Sequence, residues 1–183
     1  YRVEVKTDRE DFLNGETVKA QIEGAYYFGA PLNGARVEWR ATTTEYYFNK
    51  FTDGWYNFTT EDAWCWWECP RETEMLAQGS GVLDAAGHLT ISFPATIDEK
   101  PVSQVLTIEA DVTDPNNQVV SNRTEVAVHK ANVYIGVRSE DYVVTPGESA
   151  RIGVVTVSPQ GAVLPNTSVT LELYSREWNS IRK

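Results

Sequence analysis

Apolar and polar residues alternate along most of this chain with a period of two. Because a strand points successive side chains to opposite faces of a sheet, such alternation predicts strands with one buried and one solvated face. The pattern is clear in several segments. Their apolar positions are Val3 and Val5; Val18, Ala20 and Ile22; Ala35, Val37 and Trp39; Leu89, Ile91 and Phe93; Leu106, Ile108, Ala110 and Val112; and Val126 and Val128.

Turn-forming residues separate these segments. They are Asn14-Gly15, Asn33-Gly34, Ala86-Gly87 and Pro115-Asn116-Asn117. A further short strand near residues 81–83 gives about seven strands between residues 1 and 130, which is typical of an immunoglobulin-like sandwich. No segment has a convincing helical stripe. The predicted fold class is therefore all-β, with tandem immunoglobulin- or fibronectin-like antiparallel β-sandwiches.

An internal repeat divides the chain into two units. Residues 10–16 recur at residues 140–148 with two residues added, and from Gly15 onward a constant offset of 132 residues holds. Under this offset the equivalent pairs include Gly15 and Gly147, Ile22 and Val154, Leu32 and Leu164, and Val37 and Val169. We therefore expect a complete domain at residues 1–130 and the first strands of a second, truncated sandwich at residues 131–183.

The incomplete second sandwich should leave an apolar face uncovered and strand edges open. We expect this half-domain either to be completed by a longer parent protein or to self-associate with another copy. The chain opens directly on a strand pattern, without a signal peptide, so it resembles a piece of a longer protein.

An aromatic-rich insertion at about residues 43–78 interrupts the strand pattern. Ten aromatic residues lie between Tyr46 and Trp67, with acidic residues among them. Exposed aromatic faces can stack on sugars or anchor a protein partner, whereas aromatics in a long loop also pack on one another. Both interpretations remain open. The candidate partner-contact residues are Trp55, Trp64, Trp66 and Trp67.

The two cysteines, Cys65 and Cys69, lie within the same insertion. They are either a short-loop disulfide, which requires an oxidising compartment, or a pair of free thiols. His88 and His129 are distant in sequence, so a zinc site lacks ligands. We predict no metal site and no cofactor.

Composition and motifs exclude several function classes. The net charge of −10 argues against a nucleic-acid partner, since phosphate binding requires a basic face. No run of apolar residues is long enough to span a membrane. Neither histidine lies in a nucleophile motif, and no strand is followed by a glycine-rich phosphate loop. We therefore expect no catalytic residues and no enzymatic activity.

Several segments resemble the bacterial α2-macroglobulin family. Residues 14–20, 25–32 and 35–39 are similar to its third macroglobulin-like domain, and residues 108–114 with 126–129 resemble the end of that domain. Residues 133–183 resemble the opening of the fourth. The order and spacing of these segments cover nearly the whole chain.

The resemblance implies a broad-spectrum protease trap. In that family an attacking protease cuts a bait region, and the resulting rearrangement lets a reactive thioester couple to the protease. Bacterial members are periplasmic, membrane-anchored or cell-surface proteins, often associated with a penicillin-binding protein. The implied partners are proteases, acting through the full-length parent, and neighbouring macroglobulin-like domains.

The reactive parts of that family have no counterpart in this sequence. The thioester motif Cys-Gly-Glu-Gln is absent, and no stretch resembles a bait region. The expected role is therefore a scaffold within an extracytoplasmic protease inhibitor. The alternative is a glycan- or protein-binding immunoglobulin-like module of a surface adhesin or a carbohydrate-degrading protein, which the aromatic insertion favours.

Overall fold

A computed structural model describes residues 1–59, 73–145 and 147–174, which form ten strands and contain no helix that could cross a membrane. The strands are β1 (Arg2–Thr7), β2 (Asp11–Leu13), β3 (Thr17–Ala25), β4 (Arg36–Glu45), β5 (Glu74–Val82), β6 (His88–Pro94), β7 (Gln104–Thr113), β8 (Val119–His129), β9 (Tyr134–Ser139) and β10 (Ile152–Val157). The all-β prediction is confirmed.

Strands β1 to β8 form a β-sandwich. One sheet has the order β1-β3-β6 and the other β2-β8-β7-β4-β5. Both sheets contribute to one apolar core, in which Val18, Ile22 and Ile108 are fully buried. Every second residue of β7 is buried from Gln104 to Val112, as its alternating sequence requires. Burial of this periodic apolar face is the main stabilising contribution to the sandwich.

Strand β2 was not expected from the sequence. It pairs in parallel with β8, Phe12 facing Val128, so the sandwich is not purely antiparallel and has eight strands. The chain therefore crosses from one sheet to the other between β1 and β2, and Phe12 becomes buried in the core. Three residues are too few to produce a recognisable period, which is why the pattern missed this strand.

The strands around the insertion are longer than predicted. Strand β4 continues to Glu45 and β5 begins at Glu74, so the insertion occupies residues 46–73 rather than 43–78. Strand β5 is rich in small and polar residues, and its Gly79 lies against the indole of Trp39, where an added Cβ would be 2.8 Å from the ring. Its alternation is therefore weak, although its register on β4 is continuous apart from one irregularity at Ala41/Thr42.

Strands β9 and β10 form a C-terminal hairpin that repeats the β1–β3 pair. Arg2 pairs with Ala25 in the first copy, and Tyr134 pairs with Val157, 132 residues later, in the second. The backbone hydrogen bond from Leu32 to Gly24 likewise recurs from Leu164 to Thr156. Gly15 and Gly147 both have positive φ, of 82° and 94°, a conformation that favours glycine.

The constant offset begins at β1, which corrects the sequence alignment. The hydrogen bond from Asp8 to Lys19 recurs from Glu140 to Arg151, so the same number of residues joins the two strands in both copies. No two-residue addition is present. The sequence alignment placed the acidic pair at residues 140–141 opposite the acidic pair at residues 10–11, which required an addition of two residues. In the structure, residues 140–141 are equivalent to residues 8–9.

The hairpin exposes an apolar face that is buried in the first copy. Val3, Val5 and Ile22 are at most 7% exposed, whereas their equivalents are 37–49% exposed. Those equivalents are Ile135, Val137 and Val154. The same sequence pattern thus yields a buried face only where a second sheet covers it.

Candidate functional site: the junction of the sandwich and the hairpin

The first part of the insertion, residues 46–59, runs from the end of β4 to the edge of β9. Asn57 and Val137 exchange two backbone hydrogen bonds, of 2.8 and 2.9 Å. This antiparallel bridge places Asn57 beside the hairpin on the edge opposite β10. The insertion therefore connects the sandwich to the hairpin in addition to the covalent link after β8.

Six aromatic side chains pack together at this connection, and we name them the junction cluster. They are Tyr46, Phe48, Phe51, Tyr56, Phe58 and Tyr134. The ring of Phe48 stacks on Tyr134 at 4.3 Å between centroids, and Phe58 lies 4.8 Å from Phe48. Gly136 permits this approach, since an added Cβ would be 2.6 Å from Phe58. These aromatics are half-buried and pack on one another.

Trp55 differs from the junction cluster. Its side chain is 94% exposed and borders an open cleft with Val137 and Arg138. The guanidinium of Arg138 lies 4.7 Å over the neighbouring Tyr56 ring. The other candidate contact residues and the possible disulfide lie outside the described residues. They are Trp64, Trp66, Trp67, Cys65 and Cys69.

A chain of hydrogen bonds lies beneath the junction cluster. His129, which is 1% exposed, contacts Asp11 Oδ1 through Nε2 at 2.9 Å and the Tyr134 hydroxyl through Nδ1 at 2.6 Å. The Tyr134 hydroxyl also lies 2.7 Å from Ser103 Oγ, and Ser103 Oγ accepts a 3.1 Å hydrogen bond from the Lys130 backbone. The network joins β2, the end of β8, the residue before β7 and β9.

Every buried group of this network has a hydrogen-bond partner. Each ring nitrogen of His129 has one, Asp11 Oδ1 at Nε2 and the Tyr134 hydroxyl at Nδ1. The Tyr134 hydroxyl donates to Ser103 Oγ, which also accepts from the Lys130 backbone N–H. The network therefore satisfies the polar groups that it buries.

The electrostatics of the network favour a neutral tyrosine beside an ionised carboxylate. Burial raises the pKa of Tyr134 to about 12 and also raises the pKa of Tyr46. Burial alone would raise the pKa of Asp11, but the hydrogen bond from His129 and the charge of Lys50, 3.6 Å away, together lower it. Proton loss from Tyr134 is thus disfavoured.

The order carboxylate, imidazole, hydroxyl resembles that of a nucleophilic triad, but the environment differs. A nucleophile needs an accessible oxygen and a lowered pKa. Ser103 is only 6% exposed, and the pKa of Tyr134 is raised. The arrangement instead fixes the position of β9 against the sandwich.

Sequence reasoning did not find this network. Asp11 and His129 are 118 positions apart in the sequence. No local motif joins them, because the contact depends on the parallel pairing of β2 with β8. Within residues 1–59, 73–145 and 147–174, no group of three or more histidine, cysteine or acidic residues could hold a metal ion.

Comparison with known proteins identifies a curated relative along nearly the whole chain. The chain is 26% identical over 182 residues to an α2-macroglobulin homolog of a Nostoc species, which covers 99% of this chain and 9% of the relative. No protein-family model matches the chain.

Solved structures show the same fold. Trypsin-activated α2-macroglobulin of Escherichia coli matches 87% of this chain and 12% of its own, with a TM-score of 0.61 and 18% identity. The native Escherichia coli protein matches 89% of this chain and 11% of its own, with a TM-score of 0.60 and 18% identity. Methylamine-reacted Salmonella α2-macroglobulin matches 88% of this chain and 11% of its own, with a TM-score of 0.61 and 17% identity.

The chain thus spans between 9% and 12% of the length of these relatives. The chain is therefore similar to bacterial α2-macroglobulins along nearly its whole length, in sequence to the Nostoc protein and in fold to the Escherichia coli and Salmonella structures.

Proposed function

We propose that this chain is a structural segment of an α2-macroglobulin-like broad-spectrum protease inhibitor. The observation that carries the proposal is the match to an α2-macroglobulin homolog over 99% of the chain. Residues 1–130 would be its third macroglobulin-like domain and residues 131–183 the start of the fourth. The constant 132-residue offset between β1–β3 and β9–β10 supports two domains of one type.

The exposed hairpin face supports completion of the second domain by further strands of the parent protein. Ile135, Val137 and Val154 occupy positions that are buried in the first sandwich. Burying an apolar side chain contributes roughly 1.5–3 kcal/mol, so covering this face would stabilise the second domain substantially. Strands equivalent to β7 and β8, which belong to the opposite sheet of the first sandwich, would supply the cover.

The segment would act as a scaffold that transmits rearrangement between domains. The junction cluster and the network around His129 fix the hairpin on the sandwich through both apolar and polar contacts. A rigid junction passes a displacement of one domain to the next, whereas a flexible linker dissipates it. No covalent chemistry is assigned to the segment itself.

The partners and the location follow from this role. The parent would bind proteases, contact neighbouring macroglobulin-like domains and associate with a penicillin-binding protein in an extracytoplasmic compartment. A disulfide between Cys65 and Cys69 would be compatible with that compartment.

The test is to incubate the intact parent protein with an active protease and with the same protease inactivated at its catalytic residue. We expect cleavage of the parent and a protease-containing conjugate that survives denaturation, with the active protease only. An intact parent, unchanged in electrophoretic mobility and in its effect on proteolysis, would contradict the proposal.

The scaffold role has its own test in the same assay. Phe48→Ala, which removes the stack on Tyr134, should reduce conjugate formation while leaving bait cleavage unchanged. Trp55→Ala is the matched control, because this exposed aromatic lies in the same segment. Equal conjugate yields from the wild type and both variants would argue against transmission through the junction.

Glycan binding is a second candidate, favoured by the exposure of Trp55. Its indole borders an open cleft beside Val137 and Arg138, where a sugar ring could stack. Titration with a broad polysaccharide panel should change tryptophan fluorescence, and Trp55→Ala should abolish the change. Unchanged fluorescence across the panel would exclude this candidate.

A further inference from the structure

The turn after β3 carries two exposed aromatic side chains. Tyr27 is 83% exposed and Phe28 is 82% exposed, and Phe28 stacks on Tyr26 at 5.2 Å between centroids. Two adjacent bulky aromatics in solvent give up the stabilisation that burial would provide. No described residue of the first sandwich covers them.

The same turn recurs in the second copy, where part of it is buried. The hydrogen bonds from Tyr26 to Ala30 and from Gly29 to Tyr26 recur in the turn at residues 158–162. Under the 132-residue offset, Tyr27 corresponds to Pro159, which is buried. The backbone of the two turns is therefore equivalent, but their environments differ.

The second turn lies against segment 46–59 of the preceding unit. Gly161, the equivalent of Gly29, approaches segment 46–59 so closely that an added Cβ would be 2.4 Å from the Lys50 carbonyl oxygen. The contact therefore joins the β10 turn of one unit to the insertion of the unit before it. In this copy the turn therefore contacts the unit that precedes it.

We propose that Tyr27 and Phe28 form the docking surface for a β-sandwich that precedes Tyr1 in the parent chain. The position of Tyr1 supports this occupant, because its ring lies 6.4 Å from Tyr26, at the base of the turn. Chain entering at Tyr1 therefore arrives beside the exposed aromatics. The proposal rests on the tandem arrangement proposed above, but not on protease trapping.

The occupant is expected to present backbone and apolar surface to the turn. In the second copy the turn meets a main-chain carbonyl, and its residues are Ser-Pro-Gln-Gly. In the first copy the corresponding residues are Tyr-Tyr-Phe-Gly, which offer a larger apolar area. Aromatic anchors of this kind dominate the energetics of protein interfaces.

Hydroxyl-radical footprinting of the 183-residue chain and of the full-length parent tests the proposal. Oxidation follows exposed area, so we expect the rate at Tyr27 and Phe28 to fall roughly fivefold or more in the parent. Met75, which is 54% exposed on β5, is the internal reference. Equal rates at Tyr27 and Phe28 in the two proteins would overturn the proposal.

Two other occupants have distinct outcomes. Protection of the 183-residue chain that grows with its own concentration would indicate a second copy, and protection by phosphatidylglycerol vesicles would indicate a membrane; either would overturn the proposal. Protection in the parent without protease conjugates would refute the inhibitor role while supporting this docking surface.

A paired variant controls for folding. Tyr27→Ser with Phe28→Ser should leave the melting temperature of the 183-residue chain unchanged, because both side chains are exposed. In the parent the same pair should raise the protease sensitivity of the chain just before Tyr1. Unchanged sensitivity there, with the fold intact, would contradict docking.

Discussion

Tyrosines at the junction differ in how their hydroxyl groups are used. The Tyr134 hydroxyl joins His129 and Ser103, whereas the buried Tyr46 hydroxyl has no hydrogen-bond partner among the described residues. A buried hydroxyl stabilises a fold only if its hydrogen bonds replace those made to water. Removal of the two hydroxyls should therefore have different effects.

Tyr134→Phe should lower the free energy of unfolding by about 1–2 kcal/mol, because His129 Nδ1 and Ser103 lose their partner while buried. Urea denaturation measures the change. Tyr142→Phe is the control; its side chain is fully exposed, so its effect should stay within about 0.5 kcal/mol. Equal effects of the two variants would mean that the network contributes no stability.

Tyr46→Phe should leave the free energy of unfolding unchanged or raise it by up to about 1 kcal/mol, since it removes a buried hydroxyl without a partner. The ring contact with His129, at 5.3 Å between centroids, would remain. The same urea series measures this variant. A loss as large as that of Tyr134→Phe would show that the Tyr46 hydroxyl has a partner.

Stability should decline in alkaline solution through Tyr134. Burial raises the pKa of its hydroxyl to about 12 from 10.0, so between these values the unfolded chain loses the proton and the folded chain keeps it. The contribution is complete below pH 10 and is lost as the pH rises toward 12. Urea midpoints measured across this range should fall less steeply for Tyr134→Phe than for the wild type; parallel curves would contradict the assignment.

At the scale of elements, segment 46–59 determines how the hairpin is held. Strand β9 pairs with β10 on one edge and with Asn57 on the other, while Phe48 and Phe58 lie against Tyr134 and Gly136, on the face opposite Ile135 and Val137. Two strands alone are marginally stable in water. The aromatic segment thus supplies packing that the hairpin lacks.

Phe48→Ala should loosen the hairpin without unfolding the sandwich. The variant loses a partly buried ring that stacks on Tyr134, at a cost of about 1–3 kcal/mol. Because each 1.4 kcal/mol is a factor of ten, hydrogen exchange at the Val137 amide should accelerate about fivefold or more. Exchange at Ile108 in β7 should not change, and Trp55→Ala should leave both amides unaffected. Equal acceleration at Val137 and Ile108 would indicate global destabilisation instead.

At the scale of the whole molecule, the two copies differ in what covers them. In the first, strands β4, β7 and β8 place an opposite sheet over Val3, Val5 and Ile22. In the second, Ile135 and Val154 remain exposed together with the open edge of β10. Exposed apolar surface next to an unpaired edge favours association.

The 183-residue chain should therefore associate with itself as its concentration rises, and sedimentation velocity measures this. Val154→Lys should shift the chain to the monomer, because a charge on this face opposes burial. Val119→Lys is the control, since this exposed valine lies at the start of β8, away from the hairpin face. A wild type that stays monomeric at high concentration would contradict the expectation.

The amino-acid sequence by itself determined the all-β fold, the inward face of most strands, the repeat and the family resemblance. The strand period and the turn chemistry are local, because each depends on neighbouring residues. The repeat and the family resemblance can be read by comparing stretches of sequence. Only the tertiary structure decided the parallel pairing of β2, the contact between Asp11 and His129, and which aromatics are buried. Those outcomes depend on segments far apart in sequence, 118 residues in the case of Asp11 and His129, and on whether a second sheet covers a given apolar face. Ile135 and Val3 therefore have the same strand position and opposite environments.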